Sequence, residues 1–346
     1  MDRLRQRLLI VSYAFAPSIG GIETVSEQLA RTFSHRGYTV TVVTCTPSTG
    51  EEPLEPFRVV RCPSSTTLIR EIRRTDLVLQ CNMSLRLAWP LWLVFLRKPF
   101  VLVHHTPLAR PEGYQIWRDR LKRSLLWRPY CLSVSNFLAS TITAPSKIIH
   151  NPYASAVFRR MPKIERNSDL LFVGRLVTAK GVDVLLCAFN SVLKERPHSV
   201  LSIVGIGPEE DALRALTLSL GISQSVRFLG VRQGAQLAEL MNKHQILVIP
   251  SRSKPPEALS VVPVEGIACG CVPVASRQGG LSEAIGDAGV LCEEGNCEEL
   301  ARTLLSLLNT PELLETYRSR AEHHLRHFRP DEVADVYERH FSICRR

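Results

Sequence analysis

The sequence predicts an α/β protein of two successive doubly wound halves, each a parallel sheet with crossover helices, followed by a helical tail. Short apolar runs alternate with helical patterns along most of the chain, which is typical of parallel sheets. A stretch rich in asparagine, proline and charge interrupts this alternation at residues 147–169, where we expect a linker. The 346 residues exceed one ordinary core and suit two domains.

The first half begins with the predicted strand RLLIVSYAF, a glycine loop and a helix that Gly37 ends. That helix has one apolar face at helical spacing, formed by Ile22, Val25, Leu29 and Phe33. Further strands are predicted at YTVTVVTCT, RVVRCP, TDLVLQCN and PFVLVHHT.

The second half repeats the alternation, with helices predicted near 181–195 and 209–220. Its strands are LLFVGRL, SVLSIVGIG, VRFLG, ILVIPS and CVPVAS, and only helical pattern remains from residue 296 onward. Sheets of this kind bind ligands outside the carboxyl ends of their strands, so the default site is the cleft between the halves.

The formal net charge of +10 favours an acidic partner: nucleic acid, an anionic membrane surface or a phosphorylated substrate. Nucleic acid is disfavoured, because the chain has no recognition motif, no zinc framework and no aromatic-rich basic strand.

Ten cysteines are scattered without framework spacing, and most, such as Cys45, Cys81 and Cys187, lie in apolar runs. We expect reduced core thiols of a cytosolic protein. Cys269 and Cys271 are too close together for a usual zinc knuckle, so no metal site is expected. No signal peptide is visible, and the longest apolar stretch, residues 87–96, is shorter than the ~20 residues of a membrane span.

Residues 257–265, EALSVVPVE, predict a loop followed by a helix start, since Pro263 is accepted in the first helical turn but not in a strand or helix interior. We expect Ser260 to cap this helix. Free backbone N–H groups at such a helix start favour a bound anion, with Glu257 and Glu265 on either side. Those N–H groups belong to Ser260, Val261 and Val262.

The segment VGRLVTAKG places Arg175 at the carboxyl end of a strand and Lys180 in the loop before the next helix. Surface cations are usually just solvated, but two at a strand-to-helix switch favour a diphosphate.

The segment VGIGPEE approaches the dinucleotide pattern GxGxxG, but Glu210 occupies the third glycine position and would repel a pyrophosphate. Gly205 and Gly207 are therefore interpreted as turn residues beside a nucleobase.

The segment PSIGGIE places Gly20 and Gly21 between the first strand and its helix, where the backbone can approach a ligand or simply make a tight turn. His104 and His105 end the strand in VLVHHT, and alternation sends one inward and the other toward the cleft. The outward histidine could bond a sugar hydroxyl, whereas at least one of the pair is a core histidine.

Taken together and in this order, these segments resemble the retaining nucleotide-sugar glycosyltransferases of family four, which have the GT-B fold. The resemblance covers nearly the whole chain and rests on PSIGGIETVSEQLARTFSHRGYTVTVVT, VHHT, NPYASAVF, LLFVGRLVTAKGVDVLLCAF, VGIGPEEDAL, VRFLG and PSRSKPPEALSVVPVEGIACGCVPVASRQGGLSEAI. It implies two Rossmann-like domains facing a cleft: an acceptor-binding domain over 1–160 and a nucleotide-sugar-binding domain over 161–328. A C-terminal helix over 329–346 would pack back on the first domain.

The resemblance also implies roles in the second domain. Arg175 and Lys180 match the pair that binds the diphosphate and stabilises the leaving group without a metal ion. Glu265 would hydrogen-bond the ribose, and Glu257 would hold hydroxyls of the transferred sugar.

Two of the family's features fall in the first domain, and one segment of the second domain departs from the family's common pattern. Gly20 and Gly21 match the loop that closes under the phosphates, and His105 best matches the histidine near the reacting sugar, with His104 as its rival. Where the family commonly has Phe-Gly, this chain has Leu259 and Ser260 before Val261. Serine can cap a helix, so the anion site is expected to survive.

The segment YQIWRDRLKRSLLWRP, residues 114–129, combines apolar residues at helical spacing with basic residues. It is either a helix that buries its apolar face in the first domain or a peripheral docking segment for anionic lipid.

The sequence thus predicts a metal-independent, retaining glycosyltransferase that uses a nucleoside diphosphate sugar, UDP-sugar in preference to GDP-sugar. Its acceptor would be a hydroxyl of a carbohydrate or lipid-linked molecule in cell-surface polysaccharide, glycolipid or glycoconjugate assembly. It would need no cofactor, bind no nucleic acid and be cytoplasmic, with peripheral association at the inner face of the cytoplasmic membrane as a hypothesis. The alternatives are a catalytically silent GT-B scaffold or nucleotide-binding protein, a sugar phosphorylase or epimerase on the same fold, and, less favoured, a nicotinamide-dependent dehydrogenase.

Overall fold

The structure is a computed structural model that describes residues 6–18, 20–48, 50, 55–93, 98–108, 116–166 and 168–344. The chain forms two compact units, one comprising Met1–Tyr153 with Phe328–Arg346 and the other Ala154–His327. The sequence-based boundaries were 160/161 and 328/329. The chain leaves the first unit after Tyr153 and returns to it at Phe328.

The first unit contains a parallel sheet in the order β3-β2-β1-β4-β5-β6-β7 among the residues described. Its strands are β1 Arg7–Ser12, β2 Thr39–Thr44, β3 Arg58–Arg61, β4 Leu77–Cys81, β5 Phe100–His104, β6 Tyr130–Ser133 and β7 Lys147–Ile148. Its first helices are α1 Gly21–His35, α2 Ser65–Arg74, α3 Leu85–Ala88, α4 Ile116–Ser124 and α5 Asn136–Thr141. The central strand β1 pairs with β2 and β4, and Leu8 to Ser12 are all buried, as expected of a strand covered on both faces.

The second unit contains a parallel sheet in the order β10-β9-β8-β11-β12-β13. Its strands are β8 Ser168–Val173, β9 Leu201–Val204, β10 Val226–Gly230, β11 His244–Ile249, β12 Val272–Ser276 and β13 Val290–Cys292. Its helices are α6 Val182–Glu195, α7 Glu210–Ser219, α8 Gly234–Lys243, α9 Val262–Cys269, α10 Leu281–Ile285, α11 Cys297–Asn309 and α12 Pro311–Leu325. The order reverses at β8, so both units have the predicted doubly wound topology.

The last helix, α13 Pro330–Cys344, packs on α1 of the first unit. Phe33 of α1 lies 5.9 Å from Tyr337 and 5.5 Å from Phe341, measured between ring centroids. Arg36 forms an ion pair of 2.6 Å with Asp335. The helical tail therefore completes the core of the first unit.

The strands β6, β7 and β13 were not predicted from the sequence. Each is at most four residues long and lies toward an edge of its sheet. Such short runs have too few residues to show a two-residue alternation.

The expectation that the cysteines are core thiols holds for Cys81, which is buried, but is wrong for Cys187, which is exposed. Cys187 lies in an apolar stretch of sequence, yet the core-facing side of α6 is formed by its neighbours Leu185, Leu186 and Phe189. Helical periodicity, more than local composition, decides which side chain faces solvent.

None of the described helices is both long enough and apolar enough to cross a membrane. Of the apolar stretch 87–96, the described part forms the end of α3 and a 3-10 turn over Trp89–Trp92, while residues 94–96 lie outside the described ranges.

Candidate functional site

Two predicted cations follow β8 at the carboxyl edge of the second sheet. Arg175 lies just beyond the strand, is exposed, and forms no ion pair or hydrogen bond through its guanidinium in the described ranges. Lys180 ends the 3-10 turn Thr178–Lys180, and its Nζ forms an ion pair with the Glu257 carboxylate. The structure therefore joins Lys180 to Glu257 and leaves Arg175 available for an anion.

The loop that carries Glu257 is held at several points. The carboxylate also accepts a hydrogen bond of 3.1 Å from the Ser251 hydroxyl. Its backbone N–H donates to Gln278 Oε1 at 3.2 Å, and its carbonyl oxygen accepts from the Gly280 N–H at 2.7 Å. Glu257 is thus held in place through its carboxylate and its backbone.

The start of α9 differs from the prediction. Val261 occupies the N-cap position, so the expectation that Ser260 caps the helix is wrong. Val261 already has helical backbone angles, and no side chain caps the helix. The first hydrogen bond of this helix runs from the Glu265 N–H to the Val261 carbonyl oxygen at 3.0 Å. The amides ahead of Glu265 thus lack a side-chain cap, and Pro263 is in the first turn as predicted.

Glu265 and Leu259 are buried, whereas Ser260 and Val261 are half-buried. In the part of the chain that the structure describes, the Glu265 carboxyl has no hydrogen-bond partner. Burial disfavours its charged form and raises its pKa to about 7. Near neutral pH this carboxyl can therefore either donate or accept a hydrogen bond.

Gly205 is required by a close approach of two loops. It has a φ of +134°, and an added Cβ would lie 1.8 Å from the Gly174 carbonyl oxygen. Its N–H donates to the Gly230 carbonyl oxygen at 2.9 Å. The loops after β8, β9 and β10 are therefore packed backbone to backbone next to Arg175.

In the first unit, Gly20 is the N-cap of α1 and Gly21 its first residue. A Cβ at Gly20 would meet the Glu23 carboxylate at 2.4 Å, whereas one at Gly21 would meet nothing within 4 Å. The Ser26 hydroxyl of α1 donates to Ser12 Oγ at 3.0 Å, which fixes the helix start to the end of β1.

His104 ends β5, His105 follows it, and both are buried. Neither ring nitrogen of His104 meets a hydrogen-bond partner among the described residues, whereas the Asn151 side chain interacts with His105. Burial lowers the pKa of each ring to about 4, and for His105 the His104 charge adds to the shift while Asn151 opposes it. Both rings are therefore neutral at pH 7, and both are buried, so burial does not distinguish which of the two faces the cleft.

Two positioning residues, Asn82 and Arg252, were not among the predicted site residues. Asn82, with a φ of +61°, accepts the backbone N–H groups of His105 at 2.6 Å and Thr106 at 3.1 Å. Only the general tolerance of asparagine for positive φ could have indicated it.

Arg252 ties the Glu257 loop to the turn that carries Lys180. Its guanidinium donates to the Thr178 carbonyl oxygen at 2.7 Å and to Asp183 at 2.6 Å. Its N–H donates to the Ala179 carbonyl oxygen at 2.8 Å. No local pattern marks this arginine, because its partners lie far away in sequence.

Among the described residues, no three His, Cys, Asp or Glu side chains come together as possible metal ligands. This edge of the second sheet carries two cationic side chains, the backbone N–H groups at the start of α9 and two carboxyl groups.

Two family models match the chain: glycosyltransferase family 4 over residues 19–155 and glycosyl transferases group 1 over residues 156–324. A D-inositol 3-phosphate glycosyltransferase of Rhodococcus opacus is 32% identical over 179 residues, which are 49% of this chain and 40% of that protein. The chain thus matches about two fifths of the length of this relative. An uncharacterized glycosyltransferase of Haemophilus influenzae is 27% identical over 327 residues, 86% of this chain and 89% of that protein.

Solved structures show the same GT-B fold. Anabaena HepE, solved with UDP and glucose, has a TM-score of 0.79 and 21% identity over 97% of this chain and 99% of its own. WaaG, a glycosyltransferase involved in lipopolysaccharide biosynthesis, has a TM-score of 0.69 and 19% identity over 95% of this chain and 99% of its own.

Proposed function

Because the chain belongs to the group 1 glycosyltransferases, we propose that it moves a sugar from a nucleoside diphosphate donor to a hydroxyl acceptor, with retained anomeric configuration and without a metal ion. The observation that carries the proposal is the set of groups at the carboxyl edge of the second sheet: two cations, an uncapped helix start and two carboxyls. This combination matches a ligand with a diphosphate at its centre and hydroxyl groups on both sides.

The diphosphate is assigned to Arg175, Lys180 and the amides at the start of α9. The exposed Arg175 guanidinium, which has no ion-pair partner in the described part of the chain, can offer a fork of N–H donors, and Lys180 a point charge. The helix start contributes a partial positive charge of roughly half a unit. These charges would stabilise the nucleoside diphosphate as it leaves, which is the task a metal ion performs in other transferases.

The hydroxyl groups are assigned to the two carboxyls. Glu265, buried with a pKa near 7, can exchange hydrogen bonds with the ribose. Glu257 is anchored by Lys180 and Ser251, so its carboxylate oxygens can accept hydrogen bonds from hydroxyls of the transferred sugar. Lys180 would then be shared between Glu257 and the diphosphate.

The roles of the first unit rest on the resemblance. Gly20 and Gly21 would approach the phosphates, and His105 would bond the reacting sugar. The low pKa of His105 supports a neutral ring that donates or accepts a hydrogen bond, not a cationic one.

In the proposed reaction the acceptor oxygen attacks the anomeric carbon on the face from which the diphosphate leaves. The carbon–oxygen bond to the phosphate breaks, and the departing phosphate oxygen takes the acceptor proton. The products are the glycoside and the nucleoside diphosphate, and no cofactor is consumed.

Uridine is the proposed base, with guanosine second. The support is that the similar structure of HepE was solved with UDP, with UDP and glucose, and with UDP-glucose.

The proposed acceptor is a carbohydrate or lipid-linked molecule of cell-surface assembly, met by a cytoplasmic enzyme at the inner face of the membrane. The support is the basic segment 114–129, whose first two residues lie outside the described ranges. Trp117 and Trp127 are 63% and 77% exposed, so the helix α4 and its following turn do not bury these rings in the first unit. Exposed tryptophans beside cations are typical of surfaces that bind anionic lipid.

The first test is thermal stability with UDP, GDP, ADP, dTDP and NAD in the presence of EDTA. A ligand at one hundred times its Kd adds about 2.7 kcal/mol to the free energy of unfolding. We expect a Tm increase with UDP that Arg175→Ala abolishes. Arg302→Ala is the matched control, because Arg302 is an exposed arginine on α11 of the same unit.

Absence of a Tm increase with every diphosphate at millimolar concentration would favour the silent scaffold. If UDP binds, slow release of UDP from UDP-sugars without acceptor distinguishes a transferase from a silent nucleotide-binding protein. Release that requires inorganic phosphate, with a sugar phosphate as product, would identify a phosphorylase.

A further inference from the structure

Two cysteines on different helices of the second unit have their sulfur atoms in contact. Cys187 lies in α6 and Cys297 is the first residue of α11, and the Cys187 thiol donates to Cys297 Sγ at 2.9 Å. Both are free thiols, Cys187 exposed and Cys297 half-buried. A disulfide requires about 2.05 Å between sulfurs, so the atoms are within about 1 Å of bonding distance.

The helices hold this pair in place. The inward faces of α6 and α11 share one hydrophobic core, with Leu185 and Phe189 of α6 and Leu300 and Leu304 of α11 all buried. The Asn296 side chain also caps α11, accepting the Glu299 N–H at 3.0 Å. The thiol contact is therefore between two supported helices, with solvent access at Cys187.

We propose that Cys187 and Cys297 form an oxidative modification site, at which a hydroperoxide converts the two thiols to a disulfide joining α6 to α11 without rearrangement of either helix. Neither thiol belongs to the proposed donor site, so this inference is independent of the proposed function.

The hydrogen bond indicates the order of events. Because Cys187 donates to Cys297, and because of its partial burial, the pKa of Cys187 rises to about 11. Because the Cys297 sulfur accepts the hydrogen bond from the Cys187 thiol, the first attack on the peroxide is assigned to Cys297. The Cys297 sulfur takes one peroxide oxygen as a sulfenic acid, and the other oxygen leaves as water. The Cys187 sulfur then displaces the hydroxyl group as a second water, so the two thiols lose two electrons and two protons to the peroxide.

The test treats the reduced, full-length protein with hydrogen peroxide. We expect the number of titratable thiols to fall by two from ten, and a peptide map to contain one disulfide-linked pair with Cys187 and Cys297. Cys187→Ser and Cys297→Ser should each abolish that pair. Cys62→Ser is the matched control, because Cys62 is also exposed but its thiol contacts the Cys45 carbonyl oxygen at 3.2 Å, and it should leave the linked pair unchanged.

Thermal unfolding tests whether the bond fits the helices as they are. A cross-link that closes a loop of this length should raise the Tm of the oxidised protein by about 5 °C or more, reversibly with reductant. The proposal is overturned if no linked peptide forms or if oxidation lowers the Tm. It is also overturned if hydrogen peroxide removes as many titratable thiols from Cys187→Ser as from the wild type.

Discussion

Glu257 and Glu265 have the same side chain and lie on either side of one helix start, yet their surroundings make them chemically different. The Glu257 carboxylate has the Lys180 ammonium and the Ser251 hydroxyl as partners. Glu265 is 7% exposed and has no partner for its carboxyl within the described ranges, so its pKa rises to about 7. The first is suited to accept hydrogen bonds, and the second can also donate one.

Glu265→Gln should change how stability depends on pH. The pKa of Glu265 is higher in the folded than in the unfolded chain, so the folded state binds more protons between about pH 4.5 and 7. The wild type therefore loses stability as pH rises through this window. Relative to wild type, Glu265→Gln should gain about 2–3 kcal/mol in the free energy of unfolding between pH 5 and 8.

Urea unfolding at several pH values measures this difference. The exposed Glu195→Gln on α6 is the control and should show no such gain. If the free energies of unfolding of Glu265→Gln and wild type differed by the same amount at every pH from 5 to 8, the result would contradict a buried carboxyl with a raised pKa.

Loops at the carboxyl edge of the second sheet are packed more closely than any residue with a Cβ allows. An added Cβ would lie 2.0 Å from the Pro250 carbonyl oxygen at Gly181 and 2.2 Å from the Glu257 carbonyl oxygen at Gly279. Together with Gly205, these glycines bring the loops that carry Arg175, Lys180 and Glu257 into backbone contact. The site is thus built from loops fixed against one another.

Gly205→Ala should separate two of these loops, because its Cβ overlaps the Gly174 carbonyl oxygen. We expect a loss of about 3 kcal/mol or more in the free energy of unfolding, with weaker diphosphate binding in proportion to the displacement of Arg175. Gly221→Ala is the matched control. Gly221 also has a positive φ, +70°, but nothing lies within 4 Å of its added Cβ, so the loss should be about 1 kcal/mol.

Chemical denaturation of both variants checks the comparison. Equal losses for Gly205→Ala and Gly221→Ala would mean that backbone strain alone accounts for the effect, and the close approach of the loops would have no measurable cost.

The net charge of +10 acts over the surface of the complete protein, but docking on a membrane needs that charge next to apolar groups. In α4, Arg120 and Arg123 are exposed, and so is Trp117. The structure decides against complete burial of the apolar face of this segment, since Trp117, Leu121 and Trp127 are all exposed while Leu126 is buried.

Flotation with anionic vesicles should therefore carry the wild type upward, and zwitterionic vesicles should not. Reversing Arg120 and Arg123 to Glu should weaken binding roughly 30-fold or more, since each cation near the surface contributes about 1 kcal/mol. The double variant Lys194→Glu/Arg302→Glu makes the same change in net charge on the second unit and should weaken binding less. Equal losses would show that only net charge matters and would contradict docking through α4.

Sequence reasoning recovered most of the strands in both sheets and the apolar face of α1, because periodicity over a few residues reports which side chains face a core. It also selected Arg175, Lys180, Glu257 and Glu265 by their places at strand and helix ends. It failed where a boundary depends on one residue, as at α9, where Val261 and not Ser260 is the cap.

The amino-acid sequence by itself determined the two doubly wound units and which charged groups lie near the carboxyl edge of the second sheet. Only the tertiary structure decided that Lys180 pairs with Glu257 across 77 positions, and that Cys187 meets Cys297 across 110. It also decided that Glu265 is buried, with no hydrogen-bond partner for its carboxyl among the residues that the structure describes. The physical reason is the distance along the chain over which each property is determined. Periodicity depends on residues within one or two helical turns, whereas a contact or a pKa depends on every element packed around the group.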